Sequence, residues 1–195
     1  MRNTKFNFQT NVKKGLLYVV TTMLSVLMFS CDKDDNNGGV APLAQSPAGV
    51  ADITLTAGGQ EYKINGPCGW AVAAGRKYIG ANQADNNLKT FSSYFNIDAL
   101  PTVTTTYTLV EDSSDTDSTH ITMHITEISG NVLTAWNSKT TSGTLTLVVE
   151  GNKVTANLAG ITLYPETNPG VFTSGNVGAF ANNGAMTGTL TFYKN

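Results

Sequence analysis

GTLTLVVEGNKVTANLAGITL, residues 143–163, is the stretch whose spacing decides the fold class. Leu145, Leu147 and Val149 lie at every second position, the period of a strand with one buried face. Gly151-Asn152 follows, a two-residue turn that tolerates positive φ. On the return, Val154, Ala156 and Leu158 share a face. Parity then switches, because Ile161 and Leu163 fall on odd positions and Gly160 stands at the break. A β-bulge at Gly160, inserting one residue, returns the apolar side chains to the core.

The same grammar extends outward. Asp52–Thr56 (DITLT), a Gly58-Gly59 turn and Gln60–Ile64 (QEYKI) form a hairpin. His120–Ile128 alternates, with Ile121, Met123 and Ile125 on one side and His120, Thr122, His124 and Thr126 on the other. Ser129-Gly130-Asn131 reverses the chain into Val132–Trp136, and Met186–Tyr193 keeps Met186, Leu190 and Phe192 in register. Between them, Asn82–Asn87 is turn-like, and Leu88–Ile97 reads as a strand or a single helical turn. No amphipathic helix stands out in the mature region, from Cys31 onward. The class is all-β: an antiparallel β-sandwich or a closed β-barrel of about nine to ten strands, which alternate in the same way and are not separated by pattern.

The N-terminus is different. Arg2, Lys5, Lys13 and Lys14 precede an apolar run from Gly15 to Phe29, the layout of a secretory signal. Met28-Phe29-Ser30-Cys31 resembles a bacterial lipobox, which implies cleavage before Cys31 and acylation of its thiol. Asp32–Gly39 (DKDDNNGG) is polar, and Val40–Ala48 carries Pro42 and Pro47. The organisation expected is a lipoprotein signal peptide over 1–30, a flexible tether over 31–48 and one all-β domain over 49–195. The Lys33-Asp34-Asp35 cluster resembles an export signal for the cell surface, so the expected location is the outer membrane, facing outward.

Removing the leader leaves eight Lys and Arg against fourteen Asp and Glu, a net charge of −6. A mildly acidic chain argues against nucleic acid or an anionic membrane surface as partner. With Cys31 acylated, Cys68 has no disulfide partner and reads as a small buried hydrophobe. Its catalytic reading, with a histidine as base, needs a convergence in space that the sequence does not display. His120 and His124 lie four residues apart on a strand, about 13 Å, too far to share a zinc ion, and read as exposed. Glu111–Asp117 (EDSSDTD) is a solvated acidic loop that lacks the glycine of a calcium-binding EF-hand. No GxSxG, HExxH or P-loop motif occurs. No catalytic residue, metal or cofactor is expected. Tyr62, Trp70, Tyr78, Phe91, Tyr94, Phe95, Tyr107 and Trp136 are core candidates, with a few left to line a glycan or lipid site.

The GGQxYxINGP hairpin, Trp136 ahead of SGTLTL, GNKVTANLAGITL and the terminal GTLTFYKN resemble small uncharacterised β-sandwich lipoproteins of Bacteroidetes. The resemblance implies an all-β lipoprotein domain and assigns a role only to Cys31, as the lipid-attachment site. The functional expectation is a non-enzymatic interaction, glycan-binding or structural module on the cell surface, held to the membrane by its lipid. The alternative is a lipocalin-like barrel holding a small apolar ligand.

Overall fold

The computed structural model describes residues 48–73, 75–96, 99–111, 117–130, 132–166, 173–174 and 178–194. The leader, Cys31, the tether up to residue 47 and most of the acidic loop (112–116) lie outside them. The chain builds β1 (Gly49–Ala57), β2 (Gln60–Ala73), β3 (Arg76–Gln83), β4 (Asn86–Phe95), β5 (Thr105–Leu109) and β6 (His120–Ser129). There follow β7 (Val132–Asn137), β8 (Thr144–Glu150), β9 (Lys153–Asn157), β10 (Thr162–Pro165), β11 (Thr173–Ser174) and β12 (Gly184–Tyr193), with a 3₁₀ turn at Gly178–Ala181.

Pairing runs β1-β2-β3-β4-β6-β5-β8-β9-β12 and returns from β12 to β1, which closes a nine-stranded barrel. Among the described residues there are twelve strands, more than the nine or ten expected, because short strands are added where the wall forks. One edge of β6 is divided: His120 and Ile121 pair with β5, and His124–Ser129 pair with β7. One edge of β12 is divided in the same way between β9 and β10. β7 pairs with β10 and joins the two forks near one rim. The β5–β6 and β7–β11 contacts are parallel, a departure from the all-antiparallel expectation. Two buried serines hold the fork. Ser138 Oγ donates to Val110 O at 2.6 Å and accepts from Met123 N at 2.8 Å, while Ser142 Oγ accepts from Lys139 N at 2.8 Å.

The opening sequence stretch folds as its spacing requires. β8 and β9 pair across Gly151-Asn152, with Val149 opposite Val154 and Glu150 opposite Lys153. Beyond β9, Leu158 N donates to Gly188 O at 3.0 Å, and Met186 N donates to Ile161 O at 2.8 Å. Thr187 therefore faces both Ala159 and Gly160, one residue against two, which is the inserted residue of a bulge. Gly160 has φ +87°, in the region that favours glycine, and Ile161 N closes a tight turn onto Leu158 O. Leu158, Ile161 and Leu163 are all buried as a result.

Leu145, Leu147, Leu158 and Phe192 are each 0% exposed and belong to one continuous core inside the wall. Trp70, Leu100 and Val149 pack onto that core as partly buried side chains at one end, and Phe180 does so at the other. The uncertain segment 75–97 supplies β3 and β4, with a register irregularity between Asn82 and Gln83. Leu88–Ile97 is thus strand rather than helical turn as far as Phe95.

Candidate functional site

At the rim beside the Gly58-Gly59 turn, the barrel presents a group of rings and charges. Tyr62 comes from β2, Asn86 and Lys89 from β4, Glu127 from β6, Trp136 from β7 and Phe180 from the 3₁₀ turn. Lys89 and Glu127 are direct cross-strand partners, and both extend the inward-facing rows of their strands. Inward positions near a rim are the ones where strand alternation can place polar groups without burying them completely.

Glu127 gathers two donors. Tyr62 Oη donates to its Oε2 at 3.1 Å, and Asn86 Nδ2 donates to its Oε1 at 3.2 Å. Burial, then the Glu127 charge and the hydrogen bond to it, raise the Tyr62 phenol well above its ordinary pKa, so Tyr62 stays a donor at every physiological pH. Lys89 Nζ lies 4.0 Å from the centroid of the Tyr62 ring, a cation–π contact. Below it, Tyr62, Trp136 and Phe180 pack mutually, with centroids 5.3, 5.6 and 6.0 Å apart. Trp136 is wholly buried and its Nε1 donates to Asn182 O at 3.2 Å. Phe180, Lys89, Asn86 and Glu127 remain partly exposed. Phe180 packs on Tyr62, and Lys89 and the Glu127–Asn86 pair meet that same Tyr62, so an apolar ring and three polar groups gather around one side chain, an arrangement that can hold a polar ligand with one flat apolar face.

The aromatic residues singled out in the sequence divide three ways. Phe91, Phe95, Tyr107 and Trp136 are core, and Tyr62 joins them at the rim. Trp70 closes the opposite end. Tyr78 and Tyr94 stack at 4.9 Å on the outer side of the wall, where they are nevertheless buried in a second small cluster with Ala73. Phe180, Lys89, Asn86 and Glu127 escaped the sequence reading. Lys89 and Glu127 are 38 positions apart, and only the β4–β6 register makes them neighbours.

The histidines need correction, since neither is exposed. His120 is partly buried, 3.9 Å from Asp117. His124 lies against Tyr94 on the outer side of the wall, with ring centroids 5.9 Å apart. Asn137 Nδ2 donates to Glu166 Oε2 at 2.8 Å, so Asn137 Oδ1 faces His124 and must accept from a protonated Nδ1 at 2.9 Å. That leaves Nε2 to accept from Thr122 Oγ1 at 3.3 Å. Desolvation lowers the pKa of His124, outweighing the opposing pull of Asn137 and Glu166. The sign follows by linkage. The folded chain binds the His124 proton less readily than the unfolded chain, so its contribution to stability is complete above about pH 6.5 and is lost as pH falls below it. The melting temperature of wild type is expected to drop between pH 7 and pH 5, and His124→Gln to flatten that slope. An unchanged slope in the variant assigns it to other groups.

Cys68 is buried opposite Gly49 and Ala81, and burial pushes its thiol up to about 12. It faces the core, whereas His124 lies on the other side of the wall, so the two do not meet. In the acidic loop, Asp117 Oδ1 accepts from Thr119 N at 2.8 Å and Thr119 Oγ1 at 2.7 Å, which holds its carboxyl below the usual range. Among the described residues no group of three or more His, Cys, Asp and Glu is placed to hold a metal ion. The chain matches no family model, no curated protein and no solved structure.

Proposed function

We propose that this chain is a surface-exposed outer-membrane lipoprotein, acylated at Cys31, whose barrel is a non-enzymatic module that binds a glycan or a partner protein at its rim. The observation that carries the binding half is that the barrel interior is occupied by its own side chains. Leu145, Leu147, Leu158 and Phe192 have no exposed surface, and part-buried side chains pack over both ends. This supports a ligand met from outside, at the rim where Phe180, Lys89, Asn86 and Glu127 gather around Tyr62. The anchoring half rests on the basic leader, the apolar run and the lipobox-like Met28–Cys31, in keeping with the resemblance to Bacteroidetes lipoproteins. The lipocalin-like alternative, a small apolar ligand inside the barrel, draws on the closure of the nine-stranded wall.

The test uses intact cells producing four chains: wild type, Cys31→Ser, a Lys33/Asp34/Asp35→Ala triple variant and Phe180→Ala. Added protease is expected to digest the wild-type domain, to spare the triple variant and to find Cys31→Ser unprocessed with its leader attached. On an immobilised glycan panel, wild-type cells are expected to bind and Phe180→Ala cells to lose most of that binding. Equal digestion of wild type and triple variant reduces the charged cluster to a linker. A wild-type domain resistant to protease places it in the periplasm.

A further inference from the structure

We infer that the barrel end opposite the rim site is a membrane-contacting face, and that it rests on the headgroup layer of the bilayer to which the chain is anchored. The inference depends on the acylation proposed above. It starts from a segregation that the net charge conceals. Among the described residues, four of the six exposed large hydrophobic side chains lie at this end: Val50 at 55%, Val72 at 56%, Val103 at 68% and Val148 at 39%. Two of them share a row. Val148 is opposite Thr155, Thr155 opposite Thr191, and Thr191 opposite Val50.

The charges follow the same axis. The described residues hold seven Lys and Arg, and four of these are at this end: Arg76 and Lys77 on the β2–β3 hairpin, Lys153 after the β8–β9 turn, and Lys194 past β12. Of the eight described Asp and Glu, two accompany them: Glu150, and Asp117 ahead of the start of β6, which the β4 register sets level with Arg76. The ends are tied together, since Lys194 N donates to Asn152 O at 3.0 Å and Lys194 Nζ to Pro101 O at 3.3 Å.

The β2–β3 hairpin supplies the contact. β1 begins at Gly49, opposite Cys68, and β2 continues five residues further, about 16 Å along the strand. Trp70, Val72 and Lys77 project from one side of this extension: Val72 is opposite Lys77, and Trp70 is two residues before Val72 on the same face. Lys77 Nζ lies 5.5 Å from the Trp70 ring centroid. An indole, an apolar side chain and cations on long stems are the residue types that settle at a bilayer interface.

Chain connectivity selects the bilayer over other partners. The domain begins at Gly49, on this same end, and only the 17 residues 32–48 separate it from Cys31. Even fully extended, 17 residues reach no more than about 60 Å, so the link to an acylated Cys31 keeps this end within reach of the headgroups and makes the contact intramolecular. Weak interfacial contacts suffice when they form within one anchored molecule.

The experiment uses the full acylated chain in vesicles of phosphatidylcholine with phosphatidylglycerol, some lipids carrying a nitroxide near the headgroup. The chain has two tryptophans, so Trp70→Phe leaves only the core Trp136 as emitter. Wild-type emission is expected to be quenched and Trp70→Phe emission not. A Val72→Asp, Lys77→Glu double variant is expected to float with the vesicles but lose the quenching, which separates the contact from the anchor. Equal quenching of wild type and Trp70→Phe in floated samples overturns the membrane face and leaves the lipid anchor standing. Cross-linked dimers through the hairpin in place of quenching assign the face to a second copy and overturn it too. A wild-type chain that does not float overturns both readings together.

Discussion

A Gly188→Ala chain is expected to unfold at a far lower urea concentration than a Gly59→Ala chain, although both glycines hold positive φ. Gly59, at φ +80°, sits in the β1–β2 turn, and a methyl group there meets nothing within 4 Å. Its replacement carries only the strain of a left-handed residue, about 1–2 kcal/mol. Gly188, at φ +102°, lies in β12 opposite Ile53. A methyl group on it would run into the backbone carbonyl oxygen of Asp52, with the carbonyl carbon at 3.0 Å and Ile53 Cα at 3.2 Å. No side chain can move aside to relieve a backbone overlap, so the β1–β12 seam must part or shift. That seam closes the barrel, and the far side of Gly188 receives the Leu158 N–H beside the Gly160 bulge. The expected loss exceeds about 4 kcal/mol, out of a total of about 5–15 kcal/mol for a domain of this kind. Urea midpoints at matched slope measure both variants. A midpoint for Gly188→Ala equal to that of Gly59→Ala would mean the seam relaxes around the methyl group without penalty.

Gly188 also illustrates what the sequence could and could not convey. The Met186–Tyr193 alternation put Met186, Leu190 and Phe192 in one register, and a parity argument located the bulge at Gly160, because both depend on neighbours within a few residues. The need for glycine at 188 comes from β1, more than 130 positions away, and no local pattern carries it. The same division holds for the topology. Hairpins with short turns were legible at Gly58-Gly59 and Gly151-Asn152. The fork of the wall was not, since β6 shares an edge between β5 and β7 and one of those contacts is parallel. Histidine exposure failed for a related reason: alternation tells which face His124 occupies but not that Tyr94, Asn137 and Thr122 enclose it there. Net charge failed in its own way. It averages over the molecule, and the spatial separation of Arg76, Lys77, Lys153 and Lys194 from most of the described acidic groups disappears in the sum.

Trp136→Ala is expected to destabilise the domain by about 3–5 kcal/mol, and Trp136→Phe by about 1–2 kcal/mol. The indole is fully buried between Tyr62 and Phe180, with interplanar angles of 59° and 73°, and it donates to Asn182 O. Phenylalanine keeps most of the ring contact and loses the hydrogen bond. Alanine loses both and leaves a space beside Tyr62 that the paired strands of the wall cannot fully collapse into. The size of the alanine effect bears on how the barrel works. In an interior filled by side chains, the truncation adds a cavity term of about 24 cal/mol per Å³ to the lost transfer energy. In a hollow ligand chamber the ring would already border empty space, and only the transfer part would be lost. Thermal melts with a benzene-sized apolar additive extend the comparison. A cavity created by Trp136→Ala can bind such a molecule, so the variant's melting temperature should rise while wild type stays unchanged. A rise in wild type, together with a small penalty for the truncation, would instead favour the lipocalin-like reading over ligand binding at the Phe180 rim.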